Sequence, residues 1–242
     1  MNNESIIILS LIAGAATFLG VFIGNLRDYG EKAIAFGSAF AAAIMILISS
    51  FELIPEAIHT GGWIKSGAFV LAGIILIALA SSIIPHIHTF NEIKNCDQRC
   101  LARASYLIAI GLVLHDFPEG FAIPSSFSAS STLGFTVIIS SFLHNIPEGY
   151  AMTVASNGIK NGFGYKSAAF STLASLLGAI LGIVLINSFS GFNVIFLSIA
   201  AGAMLYISFH ELIPLAFKHK EKAAMFGGGV LAVAVFIVLG LI

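Results

Sequence analysis

The chain has 242 residues, of which 58% are hydrophobic and only 10% charged, and its formal net charge is −1. A soluble domain carries roughly 25% charged residues, so the composition excludes an ordinary water-facing surface. The 11 basic residues are spread along the chain without a polybasic tract, which excludes a nucleic-acid binder.

A bilayer span takes about 20 apolar residues, and eight such segments follow one another. Span one covers 5–25; Met1 to Glu4 before it lacks the positive flank of a secretory signal, so the span is expected to be retained. Span two, 33–57, ends in Phe51-Glu52-Leu53-Ile54-Pro55-Glu56-Ala57, with His59 just beyond. Glu52, Glu56 and His59 are spaced by four and three, roughly one helix face. Span three, 67–86, leads into the longest polar break, 87–101. His86, His88, Cys96, Asp97 and Cys100 there either hold a cytoplasmic metal or belong to a solvated loop. C-x-x-x-C is not a specific zinc spacing, and the two cysteines make no disulfide framework. Span four, 102–124, holds His115-Asp116-Phe117-Pro118-Glu119-Gly120, and span five, 132–156, holds His144-Asn145-Ile146-Pro147-Glu148-Gly149. Span six, 167–187, contains no acid. Span seven, 193–217, holds His210-Glu211-Leu212-Ile213-Pro214-Leu215-Ala216, and span eight covers 224–242. The expected fold is an all-α integral membrane protein, residues 1–242 forming a single transmembrane domain.

Ten of the eleven Lys and Arg residues fall in odd-numbered loops, and only Lys65 falls in an even one. The positive-inside rule makes the odd loops cytoplasmic and both termini extracytoplasmic.

Half of the twelve acids fall within or at the ends of apolar segments: Glu52, Glu56, Asp116, Glu119, Glu148 and Glu211. An ionised acid at a span centre costs about 2.5–3.5 kcal/mol on insertion scales. No Lys or Arg sits deep in a span to offset that cost, so a bound cation is the natural partner. His115, His144 and His210 accompany the acids and can serve as neutral ligands.

In each hexapeptide, His at i and Glu at i+4 share one helix face. Two such helices side by side offer two imidazoles and two carboxylates, a mixed N/O set that suits zinc and other first-row metals. Pro118 and Pro147 cannot donate to the carbonyls of Leu114 and Leu143, so each is expected to open its helix one turn before the glutamate. Broken helices in equivalent halves point to a transport site. A proline that only bends its helix and a histidine that only packs are the alternative; two copies in one register weigh against it. The Glu52–Pro55 and Glu211–Pro214 segments match as well. They suggest that spans one to three and six to eight form an inverted repeat around a central pair. Glu52, Glu56, His59, His210 and Glu211 would then be entry or exit sites, or interhelical hydrogen-bond partners.

At these residues the sequence resembles the ZIP family of metal transporters, most of all its GufA-type branch. The paired hexapeptides carry the resemblance. Ala201-Gly202-Ala203-Met204-Leu205-Tyr206 leading into His210-Glu211-Leu212-Ile213-Pro214 adds to it, as does Ile84-Pro85-His86-Ile87-His88. The resemblance implies a 3+2+3 arrangement of eight helices, often as a homodimer in the cell membrane, that moves Zn²⁺ or a related ion (Fe²⁺, Mn²⁺, Cd²⁺) toward the cytoplasm. The metal is substrate, and no prosthetic group is implied. By position, His115, Glu119, His144 and Glu148 would form one inner site. Asp116 and Asn145, sharing Glu119 and Glu148, would form a second, to which some members add a span-six glutamate.

Two other classes compete. An intramembrane metallo-hydrolase typically needs H-E-x-x-H, but His210-Glu211-Leu212-Ile213-Pro214 has proline at the second histidine. A di-metal oxidase uses E-x-x-H helices, and only Glu56 to His59 has that order. A non-enzymatic transporter is the expectation.

Overall fold

The computed structural model describes residues 1–27, 29–83, 98–155, 162–189 and 191–241. Among them there are eight helices and no strand: α1 (Asn3–Leu26), α2 (Gly30–Gly61), α3 (Trp63–Ile83), α4 (Gln98–Ala129), α5 (Ser131–Ala155), α6 (Phe163–Ser188), α7 (Phe192–Lys218) and α8 (Lys222–Leu239). Each overlaps one expected span; the last residues of the spans expected at 67–86, 132–156 and 224–242 lie beyond the helix ends or outside the described residues. His86, His88, Cys96 and Asp97 lie outside the described residues.

Local chemistry sets the ends. Asn2 caps α1 by accepting from the Ser5 N–H at 3.0 Å, and Glu4 in the first turn favours the positive helix end. Gly62 alone separates α2 from α3, at φ +78°, a value that L side chains rarely adopt. Ser130 alone separates α4 from α5; its side chain accepts from the Leu133 N–H at 3.0 Å and so caps α5.

Among the described residues six helices are long and apolar enough to cross a membrane: α1, α2, α3, α6, α7 and α8. The two that fall outside this group, α4 and α5, are long enough. They carry the hexapeptides at their centres, and those polar side chains lower their apolarity. The exposed surface fits a lipid solvent: Leu71, Ile75 and Leu79 of α3, Phe170, Leu173 and Leu177 of α6, and Val230, Val233 and Ile237 of α8 face outward.

Contacts between helices come in matched pairs. α1 packs on α5 as α6 packs on α4; α2 packs on α8 as α3 packs on α7; α2 meets α5 as α7 meets α4. α1 also packs on α6, and α4 on α5. Glycines make the closest approaches possible. A Cβ on Gly149 would run into the Thr17 carbonyl, and one on Gly20 into that of Ile146. On the other side, Gly120 abuts the Ser175 carbonyl and Gly178 that of Phe117. Small residues at such crossings let backbones touch, the main source of helix association in lipid. Phe121 of α4 stacks on Phe196 of α7 with centroids 4.7 Å apart.

Proline acts differently in the two helix classes. Pro118, Pro124 and Pro147 lie inside continuous α-helix. Ahead of Pro55 and Pro214 the helix widens into π turns, Ser49–Leu53 and Ser208–Leu212. There the N–H of Ile54 reaches the Ser49 carbonyl, and that of Ile213 reaches Ser208, each five residues back. A proline cannot donate to residue i−4 and its ring crowds that carbonyl; a π turn moves the carbonyl out of the way.

Candidate metal centre

The hexapeptides lie midway along α4 and α5, and the two helices pack against each other. His115, Asp116, Glu119, His144, Asn145 and Glu148 are all buried. The pairing crosses between helices. His115 Nε2 of α4 is 3.0 Å from Glu148 Oε2 of α5, and His144 Nε2 of α5 is 3.2 Å from Glu119 Oε2 of α4. Asp116 Oδ1 lies 3.1 Å from His115 Nε2. Ligand atoms of His115, Asp116 and Glu119 fall within 4.8 Å of one another, enough to enclose one ion.

The donor set can be tested against a metal. With bonds near 2.0–2.1 Å, neighbouring ligands around a four- to six-coordinate ion are about 2.8–3.4 Å apart. The His–carboxylate separations of 3.0, 3.1 and 3.2 Å match that spacing. Glu119 Oε1, Glu148 Oε1, His144 Nδ1 and Asn145 Oδ1 are buried without a hydrogen-bond partner. Orphaned buried acceptors are rare and costly in folded proteins. Three buried carboxylates beside two imidazoles leave an excess of negative charge in an apolar surround. One divalent cation would offset that charge and accept the orphaned oxygens.

Some predicted residues have partners outside the cluster, and others lie away from it. Asn145 Nδ2 donates to the Ala13 carbonyl of α1 at 3.0 Å. His210 and Glu211 lie in the π turn of α7, where the exposed His210 ring meets Tyr206 at 4.8 Å. Glu52 occupies the equivalent π turn of α2. Glu56 accepts from the Thr60 hydroxyl at 3.0 Å within its own helix, and His59 is exposed. Conversely, Ser171 of α6 donates to Asp116 Oδ2. One of three serines, Ser167, Ser171 and Ser175, among the small residues of span six gave no sign of this.

Comparison with known proteins places the chain. The family described as "ZIP Zinc transporter" matches residues 91–240. The chain is 35% identical over 222 residues to the zinc transporter ZupT of Salmonella newport, covering 87% of this chain and 86% of that protein. The same identity and coverage hold for ZupT of Salmonella typhimurium and of Salmonella typhi.

Proposed function

We propose a specific transport role for this chain, which belongs to the ZIP family of zinc transporters. It is a transporter of divalent metal ions, not an enzyme, and an integral protein of the plasma membrane. In our reading its principal substrate is Zn²⁺, with Fe²⁺, Mn²⁺ and Cd²⁺ as ions the same donors accept. Movement is toward the cytoplasm by alternating access.

The cross-paired His115–Glu148 and His144–Glu119 contacts, with one orphaned oxygen on each glutamate, carry this reading. His115, Glu119, His144 and Glu148 are the primary ligands, and Asp116 and Asn145 stand beside them. The ion exchanges its water for these donors. Pro118 and Pro147 have no N–H to give the carbonyls of Leu114 and Leu143 one turn earlier, which allows the helices to bend at the site.

The matched contacts support an inverted repeat, with α1–α3 and α6–α8 in a 3+2+3 arrangement around α4 and α5. The π turns at Glu52 and Glu211 fall at corresponding places of the two halves. The Lys and Arg distribution supports both termini being outside. In that orientation Glu52 and Glu56 lie on the extracytoplasmic side of the site, and His210 and Glu211 on the cytoplasmic side, as an exit station. We read residues 1–242 as one transport domain that works as a homodimer.

Metal flux into proteoliposomes tests the reading. Wild-type protein should load vesicles with Zn²⁺, and the Glu119→Ala and Glu148→Ala variants, correctly inserted, should lose that flux. Normal flux in both variants would overturn the assignment.

A further inference from the structure

Hydroxyls in membrane helices commonly bond back to their own helix, four residues earlier. Ser10, Ser140 and Ser208 do so here, donating to the carbonyls of Ile6, Thr136 and Met204 at 2.8, 2.8 and 2.7 Å. Two adjacent residues of α6 break the pattern. Ser171 donates to Asp116 Oδ2 on α4, and Thr172 donates to the Gly14 carbonyl of α1 at 3.0 Å. Ala13, the neighbour of Gly14, accepts from Asn145 Nδ2 on α5 at 3.0 Å. A buried belt of side-chain and backbone bonds therefore runs α4–α6–α1–α5. At both ends it holds the residue that directly follows a site histidine.

We propose that Ser171 is a positioning residue for the metal centre. A serine hydroxyl has one proton to give, and Ser171 commits it to one oxygen of Asp116. The other oxygen stays 3.1 Å from His115 Nε2, among the proposed ligands. At the opposite end the Ala13 carbonyl can only accept, so it takes the Asn145 amide by its nitrogen and turns Oδ1 away from α1. Asn145 Oδ1 has no partner in the protein. Ser171 and Ala13 thus perform the same task on opposite sides, one through a side chain and one through the backbone. Outer groups of this kind orient metal ligands, and their loss typically costs 10–100-fold in affinity. The inference rests on the reading that the ion binds between α4 and α5.

Full-length protein in detergent, titrated calorimetrically with Zn²⁺, and the same variants in proteoliposomes test it. Ser171→Ala should raise both Kd and KM about tenfold, with Vmax within about twofold of wild type. Ser171→Thr, which keeps the hydroxyl, should restore both constants. Ser171→Ala added to Asp116→Ala should cost nothing further, because the residue it positions is gone. An unchanged Kd in Ser171→Ala, a Ser171→Thr variant as weak as Ser171→Ala, or additive losses in the double variant would each overturn the proposal. If Ser171→Ala does not purify as a monodisperse protein, Ser171→Cys, close in size with a weak donor, takes its place under the same criteria. Failure of wild-type flux would strike at the transport reading instead; a neutral serine variant in an active transporter strikes only at the positioning role.

Discussion

Glu119→Gln tests the centre at its most informative atom. The substitution keeps the shape of the side chain and removes one negative charge. Glu119 Oε2 faces His144 Nε2 at 3.2 Å, while Oε1 has no partner. Breaking a buried, compensated charge contact costs about 3–5 kcal/mol. At about 1.4 kcal/mol per tenfold, the Zn²⁺ affinity should fall by about 100-fold to several thousand-fold. Thermal stability gives a second measure of the same loss. At Zn²⁺ equal to 100 times the wild-type Kd, binding stabilises wild type by about 2.7 kcal/mol. A 100-fold weaker variant at that concentration gains only about 0.4 kcal/mol. For a chain of this length the shifts in Tm are about 5–10 °C and about 1 °C. Calorimetric titration and a metal-dependent melting series measure both quantities, and chelation should reverse the wild-type shift. A Gln variant that keeps the wild-type Kd and the full Zn²⁺-dependent shift would refute the ligand role of Glu119.

Three further outcomes are expected. Gly149→Ala should destabilise the protein by about 1–3 kcal/mol, because its Cβ meets the Thr17 carbonyl, which α1 cannot easily move; a lower Tm without metal and reduced yield in detergent would register it. Glu211→Gln, in the π turn of α7, should lower Vmax several-fold while leaving the equilibrium Zn²⁺ Kd of the centre unchanged; a raised Kd would mean that Glu211 belongs to the inner site. His219, at the corner after α7, has its pKa held below the ordinary histidine value by burial, which outweighs the upward pull of Glu31 3.9 Å away; Lys218 adds to the depression. The folded corner therefore favours the neutral ring, so its contribution is present above about pH 6.5 and lost as the pH falls. Amide exchange around Lys220 to Met225, corrected for intrinsic rates, should accelerate on acidification in wild type and stay flat in His219→Gln.

The spans and the paired hexapeptides were legible because hydropathy and the spacing of His to Glu are written in residue types. The helix ends were less so. The apolar run of α2 stops near Ala57, yet the helix continues to Gly61, because polar Thr60 can satisfy itself on Glu56. The gaps between spans likewise concealed turns of a single residue at Gly62 and Ser130. The opening expected at Pro118 and Pro147 is not seen, and the π turns lie ahead of other prolines. At Pro55 and Pro214 a π turn answers the missing donor, and nothing in residue type separates those prolines from Pro118 and Pro147. The belt through Ser171 and Thr172 was hidden for another reason. A hydroxyl that bonds to its own helix and one that crosses to a neighbour look alike until the helices are placed side by side.

The single-residue link at Ser130 makes α4 and α5 a pair of tweezers hinged at one end. His144 lies fourteen residues from the hinge, a lever arm of about 21 Å. A splay of about 5° about that pivot separates the jaws at the site by roughly 2 Å, ten times the roughly ±0.2 Å that metal–ligand bonds tolerate. On the proposed ligand set, a small angular change is then enough to let go of an ion.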